Sequence, residues 1–414
     1  MYRLLLLGVV VFSCLFAENR YSMVEIYVHE GNAEKIADLS FSMECTAHQH
    51  SRNGDILRLP LTANEMKRLQ QSGVSYKVII DDLSSFYAKR SQEDLEEARN
   101  ELRDSGTEMK LGSMGGYFTV EEVIENLDYL SEKYGKKDLI TIKKSIGKTA
   151  NGRDIYMVKI SDNASQDEQK TEAQVMYTAA HHACEPAGLM TVFYFMYYIL
   201  ENYETDKRVR NILDNRELFF IPLVNPDGYA YNQETNPNGG GLWRKNRNKT
   251  GVDPNRNYGP MKYWNFKNKG SSDDPEDSTY RGTQPFSEKE TQAIRNFVAT
   301  KNIRLNLNYH AFGNVVYYPW AHKDVIASPH CLPLVERMTR FNDYSYGSSD
   351  KMIYPIRGDA DDWFLEEQNI LSLTPEVGSW WDGFWPSPKR IFKMAKENVD
   401  ANLVTAEYVD ELDK

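Results

Sequence analysis

Two apolar, strand-like segments of this 414-residue chain each lead into residues that can bind a metal. The first segment, residues 174–180, is followed by His182 and Glu185, which form the one His-x-x-Glu motif of the sequence. The second segment, residues 305–309, ends at His310. Because α/β proteins place their functional residues at strand ends, a third donor at such a position supports the interpretation of all three residues as a metal site. Two histidines and one glutamate, with a fourth position left for water, form the donor set of a catalytic zinc site.

The His-x-x-Glu motif by itself is weak evidence. The chain has eight histidines, so composition alone predicts one such match about half the time. A further carboxylate, Glu376, lies at the end of another apolar run, residues 371–375. At that position Glu376 is either a catalytic base or a coincidence.

Further motifs follow the first donors in a fixed order: Trp243-Arg244, Asp253-Pro254-Asn255-Arg256-Asn257, His310, Tyr354, Asp361-Asp362-Trp363 and Glu376. With these motifs the chain resembles the zinc metallocarboxypeptidases of the pancreatic carboxypeptidase A and B type, the funnelin family. The resemblance covers residues 115–408 and extends more weakly to the N-terminal region. The intervals of 125 residues from Glu185 to His310 and 22 residues from Tyr354 to Glu376 are close to those of the family.

The resemblance implies a fold and an activity. The fold would be α/β, with a mixed eight-stranded sheet covered by helices on both faces, preceded by a small α/β open-sandwich pro-domain. The activity would be that of an exopeptidase with one Zn²⁺ ion per catalytic domain, acting on the C-termini of peptides and proteins. Two alternatives stay open at this point: a hydrolase of the same family that acts on bacterial cell-wall peptides, and a catalytically silent secreted binding protein.

The resemblance also assigns the metal-binding residues. His182, Glu185 and His310 would hold the zinc, and Asp253 would accept the proton on the other ring nitrogen of His182. Cys184 stands inside the motif where digestive relatives carry an arginine. We interpret it as a small side chain that points away from the metal, with a redox or ligand role as the alternative.

The remaining site residues divide between catalysis and substrate recognition. By resemblance, Glu376 is the general base and then the general acid, and Arg244 stabilises the developing oxyanion. Arg256 would bind the C-terminal carboxylate of the substrate through two parallel hydrogen bonds, assisted by Asn255 and Tyr354.

The specificity pocket depends on Asp361, seven positions after Tyr354. In digestive relatives an acidic residue there favours C-terminal Lys or Arg, since a confined carboxylate pairs with a cation. Asp359 adds a second negative charge, whereas Arg357 is close enough in sequence to neutralise one of the two. The sequence therefore predicts a preference for basic residues, with internal pairing of Asp361 as the alternative.

Composition limits the partners and the compartment. A net charge of −11 argues against nucleic acid or an anionic membrane as the main partner. Residues 1–17 have a short basic start, an apolar core and a final Ala17, which indicates a signal peptide and hence a secreted protein, or a periplasmic one if bacterial. No apolar run predicts a membrane span. The cysteines left after cleavage, Cys45, Cys184 and Cys331, do not form a disulfide framework.

The order of predicted elements suggests four regions. Residues 1–17 are the signal peptide, 18–90 the pro-domain, 91–111 a charged connecting helix and processing linker, and 112–414 the catalytic domain. An activating protease would cut after Arg103 or Lys110. In the catalytic domain we predict helices over residues 119–133, 187–203, 287–301 and 387–407, and strands over residues 155–160, 174–180, 218–224, 304–310 and 371–375. The segment 225–228 is interpreted as a turn after a strand.

Overall fold

The computed structural model describes residues 20–29, 31, 32, 35, 36, 39, 47–51, 54–265, 270–323 and 325–412. Its contacts divide the chain into two units, residues 1–90 and 91–414. The predicted signal peptide over residues 1–17 lies outside the described residues, and so does Cys45. Among the helices that are described, none combines the length and the apolar character needed to cross a membrane.

The N-terminal unit contains a four-stranded antiparallel sheet in the order β2-β3-β1-β4. Its helix α1 (Ala63–Ser72) begins with a capping box, in which Thr62 and Glu65 bond each other's backbone N–H groups. Leu69 of this helix packs into the apolar core of the sheet. The sequence pattern also predicts a short helix over residues 33–39, which falls largely outside the described residues. The strands are β1 (Tyr21–Val28), β2 (Ala47–Ser51), β3 (Gly54–Thr62) and β4 (Tyr76–Ile80).

The second unit confirms the predicted α/β fold, with a mixed sheet of eight strands in the order β11-β10-β12-β9-β7-β8-β6-β5. The four central strands β8, β7, β9 and β12 run parallel, and β5, β6 and β10 join by antiparallel pairing. The strands are β5 (Lys144–Lys148), β6 (Asp154–Ile160), β7 (Ala173–Ala179), β8 (Arg216–Ile221), β9 (Ile303–Tyr309), β10 (Val315–Tyr317), β11 (Ser345–Gly347) and β12 (Leu371–Glu376).

Helices cover both faces of this sheet. On β7, Met176 packs in one apolar cluster with Phe297 and Trp363, whereas its neighbour Tyr177 contacts Phe195 on the opposite face. Because both faces of the sheet are covered, even polar residues of the parallel strands are buried, as Asn306 and Asn308 of β9 and Ser372 of β12 show. After α1, the helices are α2 (Leu83–Asp104), α3 (Val120–Tyr134), α4 (Pro186–Asn202), α5 (Lys207–Leu213), α6 (Pro226–Thr235), α7 (Met261–Trp264), α8 (Lys289–Val298), α9 (Cys331–Met338), α10 (Ser349–Met352), α11 (Ala360–Gln368), α12 (Pro388–Glu397) and α13 (Val399–Tyr408).

Three sequence predictions need correction. The connecting helix is longer than predicted, because α2 begins at Leu83. The single helix predicted over residues 387–407 is two helices that meet at Asn398. The segment 225–228 is the start of α6, since the Asn225 side chain accepts a hydrogen bond from Gly228 N at 3.0 Å and caps the helix.

Candidate active site

Neighbouring parallel strands bring the predicted residues together. The strands β7, β9 and β12 lie side by side, so their carboxyl ends form one edge of the sheet. His310 directly follows β9, and its N–H donates to Pro375 O at 2.9 Å. Glu376 ends β12 and is paired with His310 in the ladder. The side chains at both positions therefore lie at one end of the sheet.

His182, Glu185 and His310 form a buried group that can hold a metal ion. The Nδ1 atoms of the two histidines are 2.9 Å apart, and each lies 2.8 Å from one carboxylate oxygen of Glu185. Burial, opposed in part by the Glu185 carboxylate, lowers the pKa of His310 to about 4, which leaves that ring neutral at pH 7. The donor atoms of these three buried residues face one another, so the arrangement fits a cation at their centre.

Asp253 lies between His182 and the guanidinium group of Arg244. Its Oδ1 lies 3.1 Å from His182 Nε2, and its Oδ2 accepts from Arg244 Nε at 2.9 Å. Burial alone would raise the pKa of Asp253, but the charges of Arg244 and His182 lower it to about 2. A carboxylate in this position holds the proton of His182 on Nε2, so that the lone pair of Nδ1 is available to a metal ion.

The Glu376 carboxylate lies in a different environment. Within the described residues it makes no hydrogen bond and no ion pair. Burial raises its pKa well above the usual range, and the nearby charge of Glu185 raises it further. An unpaired carboxylate with a raised pKa has the properties that a general base needs.

Arg256 is fully buried, and the backbone around it fixes its guanidinium group. Its Nε donates to Gly270 O at 3.0 Å and one terminal nitrogen to Asn255 O at 2.7 Å. The other terminal nitrogen lies 3.4 Å from the Tyr354 hydroxyl. Asn255 connects this group to the metal-binding residues, since its amide nitrogen is 3.4 Å from His310 Nε2.

Asp361 is buried, and two hydroxyl groups that the sequence analysis did not consider hold its carboxylate. Ser372 donates to one of its oxygens at 2.5 Å and Thr374 to the other at 2.7 Å. Burial raises the pKa of Asp361 to about 7, and the neighbouring charge of Asp359 adds to this effect. Ser372 and Thr374 lie four and two positions before Glu376 on β12, a strand spacing that could have revealed them.

Two other side chains named in the sequence analysis, Cys184 and Arg357, have different surroundings. Cys184 is buried with a thiol pKa raised by burial, and it is not part of the metal-binding group. Arg357 donates to Ser271 O at 2.7 Å. Within the described residues Asp361 makes no ion pair, and the neutralisation of either Asp359 or Asp361 by Arg357 stays a prediction.

Comparison with known protein families, sequences and structures gives matches that agree with one another. The family model described as zinc carboxypeptidase matches residues 126–401. Carboxypeptidase B of Helicoverpa zea is 28% identical over 87% of this chain and 86% of its own length. Human carboxypeptidase A1 is 29% identical over 82% of this chain and 80% of its own length. The crystal structure of thrombin activatable fibrinolysis inhibitor superposes with a TM-score of 0.74 at 20% identity, covering 95% of this chain and 99% of that one, and supports the fold.

Proposed function

The chain belongs to the zinc carboxypeptidase family, and from that premise we propose that it is a secreted zymogen whose active form prefers C-terminal Lys or Arg. The enzyme class and the zinc follow from the family and from the group of His182, Glu185 and His310. One observation supports the catalytic roles proposed below: the metal-binding group, the Glu376 carboxylate and the buried Arg256 lie around the carboxyl ends of neighbouring parallel strands.

The residues around the metal site have separate proposed roles. Zinc in such a donor set polarises a carbonyl oxygen and activates water near neutral pH. Glu376 would take a proton from the attacking water and pass it to the leaving amine, because its carboxylate has no competing partner among the described residues. Arg244, held by Asp253 at 2.9 Å, would keep a fixed positive charge beside the oxygen that becomes negative.

An exopeptidase must also recognise a free carboxylate at the end of its substrate. Arg256 is the proposed binding group, since its planar guanidinium can donate two parallel hydrogen bonds. The guanidinium is already oriented by Gly270 and Asn255, so little side-chain entropy would be lost when a substrate binds. Tyr354, in contact with the guanidinium, would close the site over the carboxylate.

The charge in the specificity pocket supports the proposed basic preference. The relatives include both an A-type and a B-type carboxypeptidase at nearly equal identity, so their names do not decide the preferred residue. Asp361 is buried, and two hydroxyl groups orient it, while no described cation neutralises it. A cationic substrate side chain would supply the missing counter-charge.

Replacing the pocket carboxylate should therefore change the selectivity. For Asp361→Asn we expect kcat/KM toward peptides ending in Arg to fall by about 10- to 100-fold, because a hydrogen bond to a charged group contributes about 1.5–3 kcal/mol. Peptides ending in Phe should be cleaved as well as by the wild type, or better, and Asp361→Ile should behave similarly. Release rates from peptides ending in Arg, Phe and Glu measure this. Unchanged selectivity in both variants would exclude Asp361 as the determinant.

The proposed preference for C-terminal Lys or Arg should depend on pH. Burial raises the pKa of Asp361 to about 7, so the carboxylate gains its charge as the pH rises through that value. The ratio of kcat/KM for Arg-ending over Phe-ending peptides should rise between about pH 6 and about pH 8. In Asp361→Asn the ratio should stay flat, and a wild-type ratio that is equally flat would contradict the proposal.

The zymogen proposal makes a separate prediction. The separate N-terminal unit and the charged helix α2 support an inhibitory pro-domain over residues 18–90. The full chain should be nearly inactive toward peptides, and cleavage by a trypsin-like activating protease should raise the activity. Equal activity before and after a cut verified by mass spectrometry would refute this role. Secretion is tested by the start of the exported protein, which should be Glu18.

A further inference from the structure

Two asparagines, Asn306 and Asn308, lie on one face of the central strand β9, since side chains two positions apart in a strand share a face. Both side chains are fully buried. Their surroundings are largely apolar: Met176, which is paired with Asn306 on β7, belongs to the apolar cluster that contains Trp363. Amide groups in such surroundings destabilise the fold unless hydrogen bonds satisfy them.

Asn306 is the inner end of a chain of hydrogen bonds that reaches the carboxylate of the specificity pocket. Its Nδ2 donates to the Ser372 oxygen at 2.8 Å, and the Ser372 hydroxyl donates to Asp361 Oδ1 at 2.5 Å. Ser372 is the partner of Asn306 where β9 pairs with β12, so the two side chains share a face of the sheet. The pocket carboxylate is thereby connected to the centre of the sheet.

The direction of these two hydrogen bonds follows from the protons that are available. A serine hydroxyl has one proton and two lone pairs, whereas an ionised carboxylate can only accept. The Ser372 proton therefore points to Asp361, and the Ser372 oxygen accepts from the amide nitrogen of Asn306. Without that donor the hydroxyl could rotate away from Asp361 toward another acceptor.

The other atom of the Asn306 amide shows that this arrangement has a cost in stability. Over the ranges that the structure describes, Oδ1 of Asn306 has no hydrogen-bond partner, although it is shielded from solvent. A buried polar atom without a partner destabilises the folded state. Leucine, an apolar side chain of similar volume, would avoid this loss and would suit the neighbouring apolar cluster. Stability alone therefore does not explain an asparagine at this position.

We propose that Asn306 is a positioning residue for the specificity pocket: it holds the Ser372 hydroxyl on Asp361 and so orients the carboxylate that selects a C-terminal cation. The selection of a cation rests on the proposed preference for Lys or Arg. Thr374 donates to the second oxygen of Asp361 at 2.7 Å, so that both oxygens are held and the plane of the carboxylate is fixed. Asn306 is fully buried and acts on the substrate only through Ser372 and Asp361.

Steady-state kinetics of Asn306→Leu test this role. For peptides ending in Arg we expect kcat/KM to fall by about 2- to 10-fold, as for the loss of one hydrogen bond between neutral groups. For peptides ending in Phe kcat/KM should not fall. The unfolding temperature should equal or exceed that of the wild type, because the Oδ1 atom without a partner is removed. Equal losses with both peptides, or an unchanged ratio of the two, would overturn the proposal.

Two further variants show whether Asn306 acts through Ser372. Ser372→Ala should lower the Arg-to-Phe ratio at least as much as Asn306→Leu, and the double variant should match Ser372→Ala alone, whereas additive losses would contradict the proposal. Asn402→Leu is the matched control. Asn402 is also fully buried, with an amide nitrogen that has no partner among the described residues, but it accepts from the Tyr309 hydroxyl on the other face of β9. This control should lose stability and keep the wild-type ratio.

The pH dependence of the ratio is a measurement that a purely structural residue would not change. Burial and the charge of Asp359 raise the pKa of Asp361 to about 7, whereas the hydrogen bonds from Ser372 and Thr374 oppose this rise. In Asn306→Leu the ratio should therefore rise at a higher pH than in the wild type, and an unmoved midpoint would count against the role. The substitution leaves unchanged the other titratable groups near Asp361 among the described residues, which are Asp359, Asp362, Tyr258 and Cys331.

A crystal structure of Asn306→Leu separates this proposal from the proposed preference. The Ser372 oxygen should turn away from Asp361 Oδ1, beyond hydrogen-bond distance. A hydroxyl that stays on Asp361 would overturn the positioning role, whichever substrate the enzyme prefers. If the wild type does not favour Arg over Phe but the hydroxyl turns away in the variant, the positioning role is supported and only the proposed preference fails.

Discussion

The His310→Ala variant is expected to bind no zinc at neutral pH and to lose peptide hydrolysis. His310 Nδ1 lies 2.9 Å from His182 Nδ1 and 2.8 Å from a Glu185 oxygen, so its removal leaves two donors where a catalytic zinc site uses three. Because even residues that only orient zinc ligands contribute about 10- to 100-fold in affinity, loss of a ligand should exceed that range. Metal analysis by mass spectrometry and peptide turnover measure the two effects.

Two controls make this experiment specific. Chelation of the wild type should abolish activity, and added zinc should restore it, but zinc should not restore His310→Ala. Cys184→Ala changes a buried residue of the same motif that is not part of the metal-binding group, so it should retain zinc and turnover. One zinc ion per chain together with full activity in His310→Ala would show that the metal site is elsewhere.

Glu376→Gln is expected to separate metal binding from catalysis. The substitution keeps the shape of the side chain but removes its ability to accept a proton, and a general base accounts for roughly 10² to 10⁴ in rate. Turnover should fall by that factor, while zinc content and the affinity for a non-hydrolysed peptide analogue should stay close to the wild type. The Glu376 carboxylate has no partner to lose among the described residues, so we expect little change in stability.

Glu290→Gln is a matched control for this substitution. Glu290 is a fully buried carboxylate whose pKa, like that of Glu376, is raised by burial, in this case to about 7, but it accepts from Asn246 and lies outside the group of catalytic residues. It should therefore keep wild-type turnover. If Glu376→Gln stayed within a few-fold of the wild-type rate, another group would have to carry the proton.

The sequence alone was sufficient for the metal-binding residues and the central strands. Short strand-like segments identified β7, β9 and β12, and the donors His182 and His310 follow two of them. Motif spacing also distinguished His182 from its neighbour His181, whose Nε2 instead contacts the Tyr258 hydroxyl at 2.9 Å. Strand-like segments and motif spacings are features of the sequence, so they can be recognised without the tertiary structure.

Short strands near the edge of the sheet could not be predicted from sequence patterns. The strands β10 and β11 have three residues each, too few to show an alternation. The interruption at Asn398 was also missed, because α12 and α13 together read as one apolar-periodic helix. Asn225, Pro226 and Gly228 are turn-forming residues that also begin helices, and only the position after β8 decided between the two.

Only the tertiary structure decided how distant residues pair. Arg256 and Tyr354 are 98 positions apart, and the fold brings the guanidinium to 3.4 Å from the hydroxyl. The hydroxyl groups of Ser372 and Thr374 lie 11 and 13 positions from Asp361 in the chain, and they donate to its carboxylate because β12 runs beside the start of α11. The sequence determines which chemical groups are present and which local segments carry them. The parallel arrangement of the strands determines which of those groups touch, since it brings the ends of strands far apart in the chain to one edge of the sheet.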